Sequence, residues 1–382
     1  MKKLISFMMI LSVMLMAISC TSSKAPEAEV AEVEASEAGA LTQGAVIAEC
    51  ISATGSIDDR SFCQGAWEGI KAYGDENGLS YAYYQATGDS TTDLVNCIDV
   101  AVDGGAEIVV VPGFTWGAPV FLAQDMYPDT KIVILDGEPH SEDYSEYRQE
   151  DNVYAIYYAE QESAFLAGYA AVKEGFTNLG FLGGMAVPPV VRFGYGFIAG
   201  AEYAAQEMGL EEGSITMYYH YLGNFDVSPE NQTYAASWFS SGIDLIFAAA
   251  GDVTSVVSSA ASQTGGNKWV IGVDVNQGWD AENVLTSATK NLRGSTYQAL
   301  ELYFNNEFPG GQVATLNSSN DGVNIPTDEG TWRFTTFTME EYENILSKLK
   351  TDEGGIASSI PVDTEYATAD LIPLEYVVVT VY

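Results

Sequence analysis

AVIAECISATGSIDDRSFCQGAWEGIKAYGDENG, residues 45–78, contains one complete strand-to-helix unit. Residues 45–51 (AVIAECI) read as a buried strand. A loop of small and polar residues follows. From 61 to 77, Phe62, Ala66, Ile70 and Tyr73 recur at three- and four-residue intervals, and Gly78 ends the pattern, so a helix with one apolar side is expected. The paired acids Asp58 and Asp59 stand just ahead of that helix. Adjacent carboxylates do not converge on one substrate bond, and N-capping with dipole complementation explains them better than acid–base chemistry.

The unit then repeats. Residues 80–85 form the next strand, and Leu94, Ile98 and Val102 mark a helix. A strand at 108–111 is stopped by Pro112-Gly113, and one at 131–135 runs into Asp136-Gly137. Successive βα units imply a parallel sheet with right-handed crossovers. The pattern restarts with a strand at 153–157 and a helix at 160–173. Strands at 179–182, 215–221, 245–249 and 269–273 follow, with helices between them. The expected fold class is α/β, with two doubly wound lobes. A strand at 284–287 and a helix at 294–304 are expected to return to the first lobe. Lobe 1 is read as 45–152 plus about 277–312, and lobe 2 as 153–276 plus about 313–382. In the tail, Thr338 and Glu341 form a capping box, 376–382 reads as a last strand, and 317–332 is loop-rich.

Ahead of the folded part, MKKLISFMMILSVMLMAISC (1–20) combines two lysines, an apolar run too short to span a bilayer comfortably, and a small-residue boundary. This is a secretion signal, expected over 1–19. Residues 17–20 (AISC) resemble a bacterial lipobox, which implies lipid on Cys20 and anchoring at a membrane surface. Residues 20–44, rich in Ala, Glu and Ser, read as a disordered acidic linker.

The chain carries 15 Lys+Arg against 53 Asp+Glu, a formal net charge of −38. No basic stripe exists to replace counterions on phosphates, so nucleic acid is not an expected partner. The same balance argues against a patch for anionic lipid and suits either a saline habitat or simple solubility. Beyond Cys20, Cys50, Cys63 and Cys97 remain, without CxxC or metal-type spacing. Cys50 and Cys97 read as small buried residues, and a disulfide among the three stays open. No metal or cofactor is expected. There are two histidines, and no GxSxG, HExxH or GxxxxGK[ST] motif occurs. GYGFIAG at 194–200 has the wrong glycine spacing for dinucleotide binding and lies in a helical pattern. His140, in an acidic loop containing tyrosines, reads as a solvated surface residue.

Ligands of open α/β sheets sit beyond the carboxyl ends of the strands. The informative loops are therefore 52–60, 112–116, 136–138, 183–189, 222–226, 250–253 and 274–277. Several of these carry a resemblance. GSIDDRSFCQGAWEGI (55–70) resembles the opening signature of the basic membrane protein family of solute-binding lipoproteins, which includes purine nucleoside receptors. VVVPGF (109–114), FLAGYAAV (165–172), GFLGGMAVPPVVRFGYGFIAGA (180–201), IGVDVNQ (271–277) and VLTSATKN (284–291) continue it in the family's order. The region after 300 matches poorly.

The resemblance implies a type I periplasmic-binding fold, two lobes joined by three crossovers, and capture of a solute for an ABC permease and its ATPase. Phe62 matches an aromatic that stacks on the nucleobase, and Phe225 its counterpart on the opposite lobe. Asp274 matches the acid that accepts ribose hydroxyls, and Lys290 the lysine at the same sugar. Asp59 and Gly113, within the first two blocks, complete the implied ligand-binding set. Three positions depart from the pattern. Ala53 stands where the nucleoside receptors carry a base-reading aspartate, Cys63 replaces a usual Asn, and Asn276 replaces a common second Asp. The leading expectation is a lipid-anchored, extracytoplasmic nucleoside receptor, with purine favoured. A flavin or other heterocycle is a second reading. A sensing lipoprotein without transport is a third. A nucleoside-cleaving enzyme is disfavoured by the scarcity of His and of metal-like clusters.

Overall fold

The computed structural model of the chain describes residues 45–382. The signal at 1–19, the lipidation site Cys20 and the linker at 20–44 lie outside the described residues.

The first lobe begins β1 (Ile47–Ile51), α1 (Phe62–Asn77), β2 (Tyr81–Gln85), α2 (Thr91–Asp103), β3 (Ile108–Pro112), α3 (Gly117–Met126), β4 (Lys131–Leu135) and β5 (Val153–Tyr158). β1 and β3 are buried at every position, as central strands covered on both faces must be. α1 turns Cys63, Ala66, Ile70 and Tyr73 inward and ends at Gly78, whose φ of 64° suits a residue without Cβ. α2 starts where the Ser90 hydroxyl accepts from the Asp93 N–H.

The chain then builds the second lobe through α4 (Glu160–Glu174), β6 (Asn178–Gly183), α5 (Pro188–Met208), β7 (Ile215–Tyr221), α6 (Pro229–Ser241), β8 (Leu245–Ala249), α7 (Val253–Thr264), β9 (Trp269–Asp274) and β10 (Val284–Lys290). It returns to the first lobe for α8 (Leu292–Phe304) and β11 (Gln312–Leu316). It ends in the second with β12 (Val323–Asn324), α9 (Met339–Lys350) and β13 (Val377–Val381). α9 opens with the expected Thr338–Glu341 capping box.

The two sheets run β11-β5-β4-β3-β1-β2 and β12-β10-β9-β8-β6-β7-β13. Apart from the added β13, the two orders are the same, so each lobe repeats the other's plan. All pairings are parallel except β10 with β12. Apolar clusters fill both faces of each sheet beneath the helices. Three crossovers join the lobes, after Tyr158, after Lys290 and after Leu316.

The sheets divide the chain differently from the lobe boundaries read from sequence. β5 does not open lobe 2. It pairs with β4 in register Ile132↔Val153, and Val153 and Ala155 join the first lobe's core. β10 does not return to lobe 1. It pairs with β9, and Leu285 and Ala288 join the second lobe's core. β11, at the expected start of the second lobe's last part, lies at the edge of the first sheet beside β5. A strand buried on both faces has the same pattern whichever sheet it completes, so periodicity alone does not locate the crossover.

Cys50, Cys63 and Cys97 are buried and unpaired, and the Cys50 thiol donates to the Cys97 carbonyl at 3.5 Å. Among the described residues no helix is long and apolar enough to cross a membrane.

Candidate ligand cleft

Parallel strands bring their carboxyl ends to one edge, and the two lobes present those edges to each other. Asp136 follows β4, and Asp274 ends β9, the strand with the same place in the second sheet. Both take a left-handed backbone, with φ of 58° and 66°. That conformation is uncommon outside glycine and is best tolerated by Asp and Asn. It carries each carboxyl off its strand end.

Between them stands Lys290, the last residue of β10 and only 5% exposed. Its Nζ lies 2.5 Å from Asp136 Oδ2, 3.2 Å from Glu160 Oε1 and 3.6 Å from Asp274 Oδ1. One ammonium thus faces a carboxylate from each lobe and one from the first turn of α4. Three rings surround it: Phe62 at 4.7 Å, Phe193 at 5.1 Å and Tyr158 at 5.7 Å from ring centre to Nζ. Burial works against its charge, but the carboxylates outweigh burial and raise its pKa, so it stays an ammonium. Arg192 of α5 supports Glu160 from behind, Nε to Oε2 at 2.6 Å, and holds Asp363 at 2.9 Å. Burial opposes the charge on Glu160, yet Arg192 and Lys290 bring its pKa below the ordinary value. Asp136 behaves otherwise. Burial lifts its carboxyl to about 7, against the pull of Lys290 and with a further push from Glu160. Its Oδ1 is buried without a hydrogen-bond partner.

Of these groups, Phe62, Asp136, Phe193, Asp274 and Lys290 line a cleft of about 580 Å³ between the lobes. All six residues expected to bind ligand line it: Asp59, Phe62, Gly113, Phe225, Asp274 and Lys290. Phe62 sits at the start of α1, partly packed on the first lobe's core. Phe225, 39% exposed, comes from the loop after β7, and its ring lies where a Cβ on Gly184 would be, at 2.2 Å. Gly113 needs its freedom, with φ at 108° where β3 turns away. Asp59 is occupied by its own helix. Oδ1 accepts from the N–H groups of Ser61 and Gln64 at 2.9 and 3.0 Å, and Oδ2 from that of Cys63 at 2.9 Å. Its carboxylate caps α1 and shapes the wall around Phe62. Burial raises its pKa, with those backbone donors pulling the other way.

Besides the Lys290–Asp136 pair, two contacts tie the lobes across the cleft. The Ser61 hydroxyl donates to Asp274 Oδ2 at 2.5 Å, and Gln277 Nε2 donates to the Arg60 carbonyl at 2.9 Å. Asn276 faces elsewhere, bonding Asp328 and Thr331 at 2.9 Å each. The Ala53 N–H donates to Asp89 at 2.8 Å, and the hydroxyls of Ser52 and Thr54 line the cleft beside it. His140 corrects the sequence reading. It is 8% exposed, stacked on Tyr144 at 4.0 Å, because the loop that carries it folds back against α3. No group of His, Cys, Asp and Glu among the described residues could hold a metal ion.

A family model described as ABC transporter substrate-binding protein PnrA-like, Bmp, matches residues 49–359. The chain belongs to the Bmp family. It is 30% identical over 326 residues to the ABC transporter nucleoside-binding protein BmpA of Lactococcus lactis, covering 80% of this chain and 86% of that protein. It is 28% identical over 303 residues to basic membrane protein A of Borreliella burgdorferi, covering 77% and 83%. Among solved structures, an ABC transporter solute-binding protein of Aeropyrum pernix superposes with a TM-score of 0.64 at 22% identity, covering 82% of this chain and 89% of that one. That likeness supports a two-lobed periplasmic-binding fold of type I.

Within this Bmp-family cleft, sequence reasoning missed Asp136, Glu160, Arg192, Phe193 and Ser61. Signals were present for some. Asp136 stands in a post-strand loop, and Arg192 and Phe193 lie inside the 180–201 block. In a chain with 15 basic residues, an arginine in an apolar helix start is a marker for a buried ion pair.

Proposed function

We propose that this Bmp-family protein captures a nucleoside, with purine favoured, between its lobes and passes it to an ABC permease and its ATPase. It does so from the extracytoplasmic face, held there by lipid on Cys20. The observation that carries the reading is the pair of open acceptors from opposite lobes. Asp136 Oδ1 has no partner, and Asp274 Oδ1 stands 3.6 Å from Lys290, beyond hydrogen-bond reach. A vicinal diol supplies two donors to such acceptors and accepts from the ammonium between them. The rings of Phe62 and Phe225 then take the two faces of a flat base, with π geometry adding about 0.5–1.5 kcal/mol to the burial. Only a ligand touching both lobes satisfies all of these groups, so occupancy favours the closed arrangement. The nucleoside-binding relative in Lactococcus lactis supports the same reading.

The cleft offers carboxylates, one ammonium, hydroxyls and rings, a set suited to holding a ligand rather than breaking a bond. Ala53 favours a second reading within the binding class. Without a carboxylate there, the base edge meets hydroxyls instead, and base choice relaxes toward other heterocycles, a flavin among them. Mass spectrometry of the small molecule retained on purification tests this. A nucleoside is expected; a yellow, flavin-loaded protein would select the second reading. Free base released from inosine or guanosine on prolonged incubation would contradict a pure binding role. Genes for a permease and ATPase beside this one favour import over sensing.

A further inference from the structure

The cleft does not end at Lys290. A second cavity of about 600 Å³ adjoins it at the crossovers and shares Phe114, Asp136 and Pro189 with it. Tyr158, Ala159 and Gln161 line it beside the first crossover. One wall is the loop after β4, through Glu138, His140, Tyr144 and Tyr147; the other is Arg192 with Asp363. Three features make it a built chamber. His140 and Tyr144 form a stacked pair, and Tyr144 stays 61% exposed at the rim. Gln161 Oε1 is buried with no partner, as is Asp136 Oδ1 at the junction. Arg192, the chamber's guanidinium, is already engaged by Glu160 and Asp363. With Glu138 added, and even with Asp136 paired to Lys290, carboxylates outnumber the cations, and the field inside is negative.

We propose that this chamber is a second ligand subsite, continuous with the first at Asp136, that accepts a neutral or cationic substituent on the sugar end of the ligand and rejects phosphate. The inference rests on the nucleoside reading above. If Asp136 and Asp274 hold the diol, the 5′ carbon is the remaining point at which a longer ligand continues, and the chamber opens beside Asp136. Unpaired acceptors favour a donor-bearing group there, and tyrosine rings favour a cation. A phosphate would meet carboxylates, with a guanidinium already compensated.

The test titrates the full chain with adenosine and guanosine, their 5′-deoxy-5′-(3-aminopropylthio) derivatives and their 5′-monophosphates. For whichever base binds, the aminopropylthio derivative should match or exceed the parent nucleoside, and the monophosphate should bind at least tenfold weaker. Tyr144→Ala and Glu138→Gln, both away from the first cleft, should weaken the derivative at least threefold and leave the parent nucleoside unchanged. Parent binding with a tenfold weaker derivative, or with a monophosphate that binds as well as the parent, would overturn the subsite alone. Failure of every nucleoside to bind the folded wild-type protein would overturn the underlying reading and the subsite with it.

Discussion

Single residues decide the chemistry of the cleft, and Lys290 decides most of it. Its ammonium compensates Asp136, Glu160 and Asp274 at once. Lys290→Met leaves three buried carboxylates together, and loss of one partner of a buried pair costs about 3–5 kcal/mol. Urea unfolding at pH 7 should show a loss of that order. Asp136 adds a pH dependence. Its pKa of about 7 means that the acceptor form is scarce at pH 6 and dominant at pH 8. A ligand hydroxyl that donates to it should therefore bind about tenfold tighter at pH 8 than at pH 6, and Asp136→Asn should flatten that step in a titration series. Glu49 carries a different cost. It lies fully buried in β1 with neither oxygen bonded, and burial, with Asp59 adding, holds its pKa well above the ordinary value of 4.5. The folded protein therefore keeps a proton there that the unfolded chain releases. The contribution of Glu49 to stability is greatest below pH 4.5 and declines as pH rises toward its folded-state pKa. Glu49→Gln removes that slope. The variant should be more stable than wild type at pH 8 and little changed at pH 4, by denaturant melts at both. In sequence, Phe62 and Lys290 were singled out only through the family blocks, whereas Asp274 also stands in a post-strand loop. Asp136 could not be matched to Lys290, because 154 residues separate them and only the fold brings them together.

At the scale of elements, the packing of α4 on α5 rests on glycine. α4 and α5 approach until a Cβ on Gly200 would stand 2.0 Å from the Phe165 carbonyl oxygen, and one on Gly196 would stand 2.1 Å from that of Gln161. This closeness lets Arg192 reach Glu160 and so sets the lysine's surroundings. Gly200→Ala should force the helices apart and destabilise the fold by about 1–3 kcal/mol, the usual range for overpacking, measured as a lower urea midpoint with an unchanged slope. Strands and helices were legible because apolar runs bounded by Gly, Pro and Asp recur at regular spacing. β4, β7 and β8 match the ranges expected from sequence. The lobe boundaries were not legible. β5 and β10 are buried strands of neutral pattern, and their sheet is chosen by the neighbour they pair with, β4 and β9 respectively.

For the molecule as a whole, function follows from duplication. Two sheets of one strand order set Asp136 and Asp274 at equivalent places, and the single β10 terminus puts Lys290 between them. Phe62 and Phe225 line the cleft from opposite lobes, so the proposed site needs both. The most direct measurement is calorimetric titration of the full chain with purine nucleosides, comparing wild type, Phe225→Ala and Asp274→Ala at pH 8. Grip on a flat ring and a hydroxylated end by opposite lobes predicts at least tenfold weaker binding in each variant, with melting cooperative as in wild type. Wild-type affinity in both variants would contradict it.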